Sequence, residues 1–395
     1  MIIERAGKSL TGLLLLACIL LGGGTTPGLA RDHALECCIF LAGVVFLDRP
    51  TLRYGRGVRC TLLLAGGAML VSFLPVPASL RHALLPEGII APGPGGFALL
   101  TTDADRTMQS VLYFFALLVL FLLFGSMRRK QLAALTPFFW AGVAGNGVVA
   151  AIQITGGRGG GTGLLNGAGF FSNQNHFAAL LYMGIPLLVA SIRTDPGAVV
   201  PGGALLFVFL GEILTGSRAG IALAIALAGL SIPLVPDDRP TEFRRPGRGP
   251  RLALAVVIAS IAVLAASGSI SQRDIDSVTG RYDFARNTIA GIARSFPLGY
   301  GYGAFPLAYP MFQSPSEVVD RFVNHAHDDY LEAVFEGGLP ALVVIVAYFL
   351  ILGRAALRAR TTKIRVVLLS IGAVLLQSVV DYPLRTFAVG AVFAW

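Results

Sequence analysis

The chain has 395 residues, 55% of them hydrophobic and 13% charged, with a mean hydropathy of +0.72 and a formal net charge of +9. A soluble domain is about a quarter charged. This composition therefore excludes an ordinary soluble enzyme and predicts an all-α, polytopic integral membrane protein. A nucleic-acid surface would need a basic patch interleaved with aromatics; none stands out, so no nucleic-acid partner is expected.

Crossing a bilayer takes about 20 apolar residues per helix. Such runs fall at 9–30, 33–47, 58–74, 109–126, 131–155, 172–193, 198–214, 217–235, 251–267, 333–353, 366–380 and 386–395. They predict about 12 transmembrane helices in a single membrane domain over 1–395, with no fixed-period repeat. The first run could pass for a signal peptide, but no small-residue cleavage site stands out and further runs follow, so it reads as a retained helix. Cys18, Cys37, Cys38 and Cys60 lie in or beside the first three runs without metal spacing. They read as small apolar filler.

Lysine and arginine set the orientation. With the N-terminus inside, the loops 48–57, 127–131, 236–250 and 354–365 are cytoplasmic and hold, with the other inner ends, most of the 31 basic residues. The anionic lipids of the inner leaflet are their expected neighbours. Loops 75–108 and 268–332 then lie outside. Asp103 with Asp105, and Asp274 with Asp276, match the short Asp-x-Asp pattern of nucleotide-sugar transferases. Nucleotide sugars are not supplied on that face, so both pairs read as solvated loop, and neither a metal nor another cofactor is expected.

His176 follows Asn173, Gln174 and Asn175 at the outer end of the sixth run, where a lone histidine reads as a helix-end polar residue. Arg218 sits in the Thr215–Gly220 junction between two apolar runs. An arginine there is costly and works against the positive-inside rule, which favours a functional role over snorkelling or pairing with Glu212.

In the second outer loop, Phe284, Ile289, Ile292 and Phe296 recur near helical spacing with Arg281, Arg286 and Arg294 among them. That pattern predicts an amphipathic helix over 281–295 on the outer membrane face, ended by Pro297. Gly299, Gly301 and Gly303 alternate with Tyr300 and Tyr302; without a preceding strand this is a tight turn rather than a dinucleotide fingerprint. The segment 324–332 then gathers His325, His327, Asp328, Asp329 and Glu332. A histidine titrates near 6.5, so a neighbouring carboxylate can tune it into a general base at neutral pH. A polar loop leading into the next helix is the competing reading. His327 directly precedes Asp328 and Asp329 and is the better candidate, whereas His325 is expected to be more solvated.

The Thr215–Gly220 junction, the 279–305 stretch, the 325–338 segment "HAHDDYLEAVFEGG" and the late "DYPLRT" at 381–386 together resemble the O-antigen ligase and polymerase superfamily of bacterial envelope glycosyltransferases. The 101–114 and 169–181 stretches are similar to it too. The resemblance implies one large periplasmic loop, an undecaprenyl-diphosphate-linked glycan as donor, and metal-independent transfer to a lipid or saccharide acceptor. It places the protein in the bacterial inner (cytoplasmic) membrane, its active site facing the periplasm. On this resemblance Arg218 and Arg281 bind the donor diphosphate and His327 is the catalytic histidine. Arg286, His176, Asp328 and Asp329 are further substrate-binding candidates. Asp328 stands where the family often has asparagine. An O-antigen ligase, an O-antigen or exopolysaccharide polymerase and a protein O-oligosaccharyltransferase share this donor and differ in the acceptor. A non-enzymatic lipid-glycan transporter would carry ionisable residues along the bilayer midplane and paired halves; here the polar groups crowd the outer face.

Overall fold

The computed structural model describes residues 2–25, 28–47, 54–84, 96–156, 167–194, 199–235, 272–317 and 323–395. The described residues are nearly all helical. In chain order the helices are α1 (Ile2–Leu21), α2 (Ala30–Phe46), α3 (Arg56–Val71), α4 (Ala78–Leu84), α5 (Ala104–Ser126), α6 (Arg129–Ala133), α7 (Thr136–Thr155), α8 (Gln174–Met183), α9 (Ile185–Thr194), α10 (Val199–Thr215), α11 (Arg218–Leu234), α12 (Gln272–Ser295), α13 (Phe305–Ala308), α14 (Asp329–Leu357), α15 (Thr362–Gln377) and α16 (Phe387–Ala394).

Among the described residues, four helical stretches are long and apolar enough to cross a membrane: Ala104–Ser126, Arg129–Thr155, Gln174–Thr194 and Asp329–Leu357. Ser9–Leu21, Val199–Thr215 and Arg218–Leu234 are apolar but shorter. The expected run at 251–267 lies outside the described residues. The run expected at 172–193 is two helices, because Gly184 caps α8 and Pro186, which has no N–H to donate, opens α9. The first outer loop holds a short antiparallel ribbon that the sequence did not announce, β1 (Pro75–Pro77) on β2 (Phe97–Leu99), with Val76 opposite Ala98.

The core forms around α16, whose eight residues are apolar on every side and largely buried. A helix that is apolar all round belongs in an interior. It packs on α1, α5 and α8, while α9, α10, α11 and α15 complete the bundle beside it. Asn146, buried in α7, ties the bundle to the chain: its amide donates to Ile19 O at 3.2 Å and its Oδ1 accepts from Phe170 N–H at 2.9 Å.

The second outer loop has a small core of its own. Tyr300, Ala304, Phe305, Ala308 and Tyr309 bury themselves against Phe335 of α14, with Phe284 and Ile292 of α12 packed on them. The glycine run is the tight turn expected: Gly299, Gly301 and Gly303 all have positive φ, which glycine alone adopts freely. The turn docks on a break in α14. Gly338 has φ 57° and ψ −141°, and Pro340 follows. The break frees two helix carbonyls, and the turn satisfies them. Tyr300 N–H donates to Phe335 O at 3.1 Å, Gly301 N–H to Glu336 O at 2.8 Å, and Leu339 N–H returns a bond to Pro297 O at 2.8 Å. α12 starts earlier than the expected 281, at Gln272, and ends just before Pro297 as expected.

Candidate active site

Asp328 caps α14, its Oδ1 accepting the N–H groups of Tyr330 and Leu331 at 2.9 Å each. Such a cap stabilises a helix start by about 1 kcal/mol. The residue before it, His327, has φ 55°, the left-handed region that side chains other than glycine seldom enter. Strain of this kind persists only where neighbours over-determine it. Here Asp328 holds one side, and on the other Ala326 N–H donates to Glu332 Oε2 at 2.7 Å.

Held this way, His327 faces the segment 381–386. Its Nδ1 lies 3.6 Å from Asp381 Oδ1, and His176 Nε2 of α8 lies 3.6 Å from the same oxygen. Tyr382 N–H donates to that oxygen at 3.0 Å. The Tyr382 ring sits among three histidines, its centroid 4.2 Å from His325, 4.8 Å from His176 and 4.9 Å from His327. Phe284 of α12 stacks on His327 at 5.7 Å. Burial alone would push the Asp381 carboxyl up, but the imidazoles of His176 and His327 outweigh it and hold the carboxyl well below the usual carboxylate range.

Two expectations are corrected. The carboxylate facing His327 is Asp381 and not Asp328, because Asp328 is turned into the start of α14. His325 is not solvated: it is 5% exposed against 29% for His327. Its Nδ1 lies 2.8 Å from Glu332 Oε1 and its Nε2 2.9 Å from Thr25 O. Burial pulls its pKa down, and the charge and hydrogen bond of Glu332 more than offset this, so the net direction is up. Both ring nitrogens of His325 are engaged in holding the fold. That leaves His327 as the exposed histidine of the pair.

Glu332 also meets Arg385, whose Nη1 is 3.1 Å from Glu332 Oε1 and 3.1 Å from Glu336 Oε2. Arg385 Nη2 donates to Glu336 Oε2 at 3.1 Å, and Nε stands 3.7 Å from Asp329 Oδ1. Asp329 Oδ2 accepts from Ser378 Oγ at 2.8 Å. Asp329 thus braces α14 against the 378–385 segment.

The arginines come from two other elements. Arg218 is the first residue of α11, exposed, behind Ser217, whose Oγ caps the helix by accepting Gly220 N–H at 3.1 Å. The α11 start lies against α8 so closely that a Cβ on Gly220 would stand 2.5 Å from Ala178, two residues beyond His176. Arg281 lies one helical turn before Phe284, on the side of α12 that meets His327. Arg286 points elsewhere: it pairs with Asp283 at 3.5 Å and with Glu317. Asp103 caps α5 through Arg106 N–H at 3.0 Å. The side chains of Asp274 and Asp276 lie outside the described residues. Among the described residues, no group of three His, Cys, Asp or Glu side chains is arranged to hold a metal ion.

Beside the Arg385 cluster opens a cavity of about 460 Å³, within the size range of ligand pockets. Arg385, Glu336, Asp329, Asp32, Glu36 and His325 are among its polar lining, and Leu62, Met69, Phe114 and Phe349 among its apolar walls.

Residues 203–346, from α10 to the middle of α14, match the O-antigen ligase family model. That match covers about a third of the chain and supports the O-antigen ligase and polymerase superfamily. No curated protein matches it. The O-antigen ligase match contains Arg218, Arg281, Arg286, His325 and His327. His176, Asp381, Tyr382 and Arg385 lie beyond it, and they complete the constellation around His327. Sequence reasoning named none of Asp381, Tyr382 and Arg385 as site residues, although the 381–386 stretch contributed to the resemblance. A signal for Glu332 and Glu336 existed: with Asp329 they fall at helical spacing on one face of an apolar helix, where carboxylates are costly.

Proposed function

We propose that this membrane protein is a glycosyltransferase that uses an undecaprenyl-diphosphate-linked glycan as donor on the periplasmic face of the inner membrane. The transfer is of O-antigen ligase type, to a lipid or saccharide acceptor, and needs no metal. The observation that carries this reading is the pair His327–Asp381, 3.6 Å apart, with His327 in a left-handed backbone inside the segment that matches the O-antigen ligase family.

The chemistry divides among the residues as follows. Arg218 and Arg281 bind the donor diphosphate through charge-assisted, bidentate hydrogen bonds. Their fixed charge stabilises the diphosphate as it leaves, and preorganised charge of this kind usually contributes most to lowering such a barrier. His327 accepts the proton of the acceptor hydroxyl, and Asp381 stabilises the imidazolium that forms. The diphosphate linkage supplies the driving force, so no nucleotide enters. The apolar walls of the cavity beside Arg385 suit an isoprenoid or acyl chain.

The test is transfer in proteoliposomes from an undecaprenyl-diphosphate-linked glycan, with chelator present. Product that forms in chelator and vanishes in His327→Ala supports the reading. Activity that dies in chelator and returns with magnesium or manganese overturns the metal-independent mechanism.

A further inference from the structure

The 329–336 turns of α14 place three carboxylates on one face. Glu332 and Glu336 are buried, Asp329 is 10% exposed, and all three converge on Arg385. One guanidinium therefore joins α14 to the 381–386 segment, the same two pieces of chain that bring His327 to Asp381. Glu332 holds the His325–Ala326 backbone that delivers His327. Arg385 itself lies one turn of chain beyond Asp381, which faces His327.

We infer that Arg385 is a positioning residue that sets the separation of His327 and Asp381. The inference rests on the transferase reading above and adds a residue to its machinery. Arg385 touches neither histidine and is not a catalytic residue. It acts through Glu332 on the left-handed turn at His327, and along its own backbone on Asp381. Leu384 is fixed separately, its carbonyl accepting from Tyr113 Oη at 2.6 Å. A planar fork is required, because Nη1 serves two carboxylates while Nη2 serves one of them again; an ammonium cannot present that geometry.

His327 is met by Asp381, by the rings of Tyr382 and Phe284, and by His176 across the Asp381 carboxylate; Arg281 lies one turn from Phe284. Loss of the clamp leaves those groups in place but lets the 381–385 segment drift. A misplacement of about 1 Å costs on the order of 100-fold in rate.

The experiment compares Arg385→Lys, Arg385→Gln and the charge-balanced pair Arg385→Gln with Glu336→Gln in the full-length protein. Positioning predicts that in Arg385→Lys kcat falls on the order of 100-fold, a larger factor than the change in KM for donor, whose cavity Arg385 also lines. The double variant should recover melting temperature relative to Arg385→Gln, which buries uncompensated carboxylates, and should not recover kcat. Full recovery of kcat by the double variant would show that Arg385 only neutralises charge, and would overturn the inference. So would wild-type kcat in Arg385→Lys. A second readout needs no turnover: in ¹³C-histidine-labelled protein, the His327 ring resonance, assigned by its loss in His327→Ala, should move in Arg385→Lys. An unmoved resonance overturns the clamp. A moved resonance in a protein without transferase activity leaves the clamp standing and removes the transferase reading.

Discussion

Asp381 Oδ1 stands 3.6 Å from His327 Nδ1, and the backbone of His327 is left-handed to make that approach. In the proposed transfer, a carboxylate this close to one ring nitrogen favours the imidazolium that forms when the other takes a proton.

His327→Ala is therefore expected to lose about 10²–10⁴ in rate while still binding donor. Single-turnover transfer and donor binding, measured on the same preparation, check this. Transfer at the wild-type rate would remove the base role from His327 and make His176 the next residue to test.

His325 should behave differently. Its pKa is raised by Glu332, so the stability it contributes is fully present below the ordinary histidine value near 6.5 and is lost as pH rises through its higher folded value. Melting of the wild type should fall as pH rises through that window. In Glu332→Gln the slope should flatten. An equal slope in both proteins would place the titrating group elsewhere.

Arg218→Lys and Arg281→Lys should each lose most transfer although the charge is kept, because lysine lacks the planar fork. The measurement is initial rate at matched expression. Full transfer by both variants would remove diphosphate binding from them.

Topology has a direct test. With Cys37, Cys38 and Cys60 replaced, since all three are exposed, a cysteine at exposed Tyr282 should react with an impermeant reagent in intact cells, and one at Arg360 should not. The opposite pattern would invert the protein in the membrane.

The membrane character and the helical runs were legible because apolar length and charge asymmetry are properties of contiguous sequence. The Phe284 face of α12 and the glycine turn were legible for the same reason: each is a local period or a local backbone demand. What escaped was long-range. Nothing near His327 in sequence announces Asp381, and the adjacent Asp328 drew attention that belonged to it. Adjacency in sequence misleads at a helix start, because the residue before the first turn is claimed by orphan N–H groups. His325 was read as solvated on the same local logic, although its partner Thr25 lies at the far end of the chain.

The break at Gly338 has a mechanical consequence. Bilayers differ in thickness, and helices answer by tilting. The glycine turn fastens both sides of that break, through Tyr300 and Gly301 before Gly338 and through Leu339 after it. A change of tilt in the later part of α14 is therefore met first at the 297–301 turn rather than at His327.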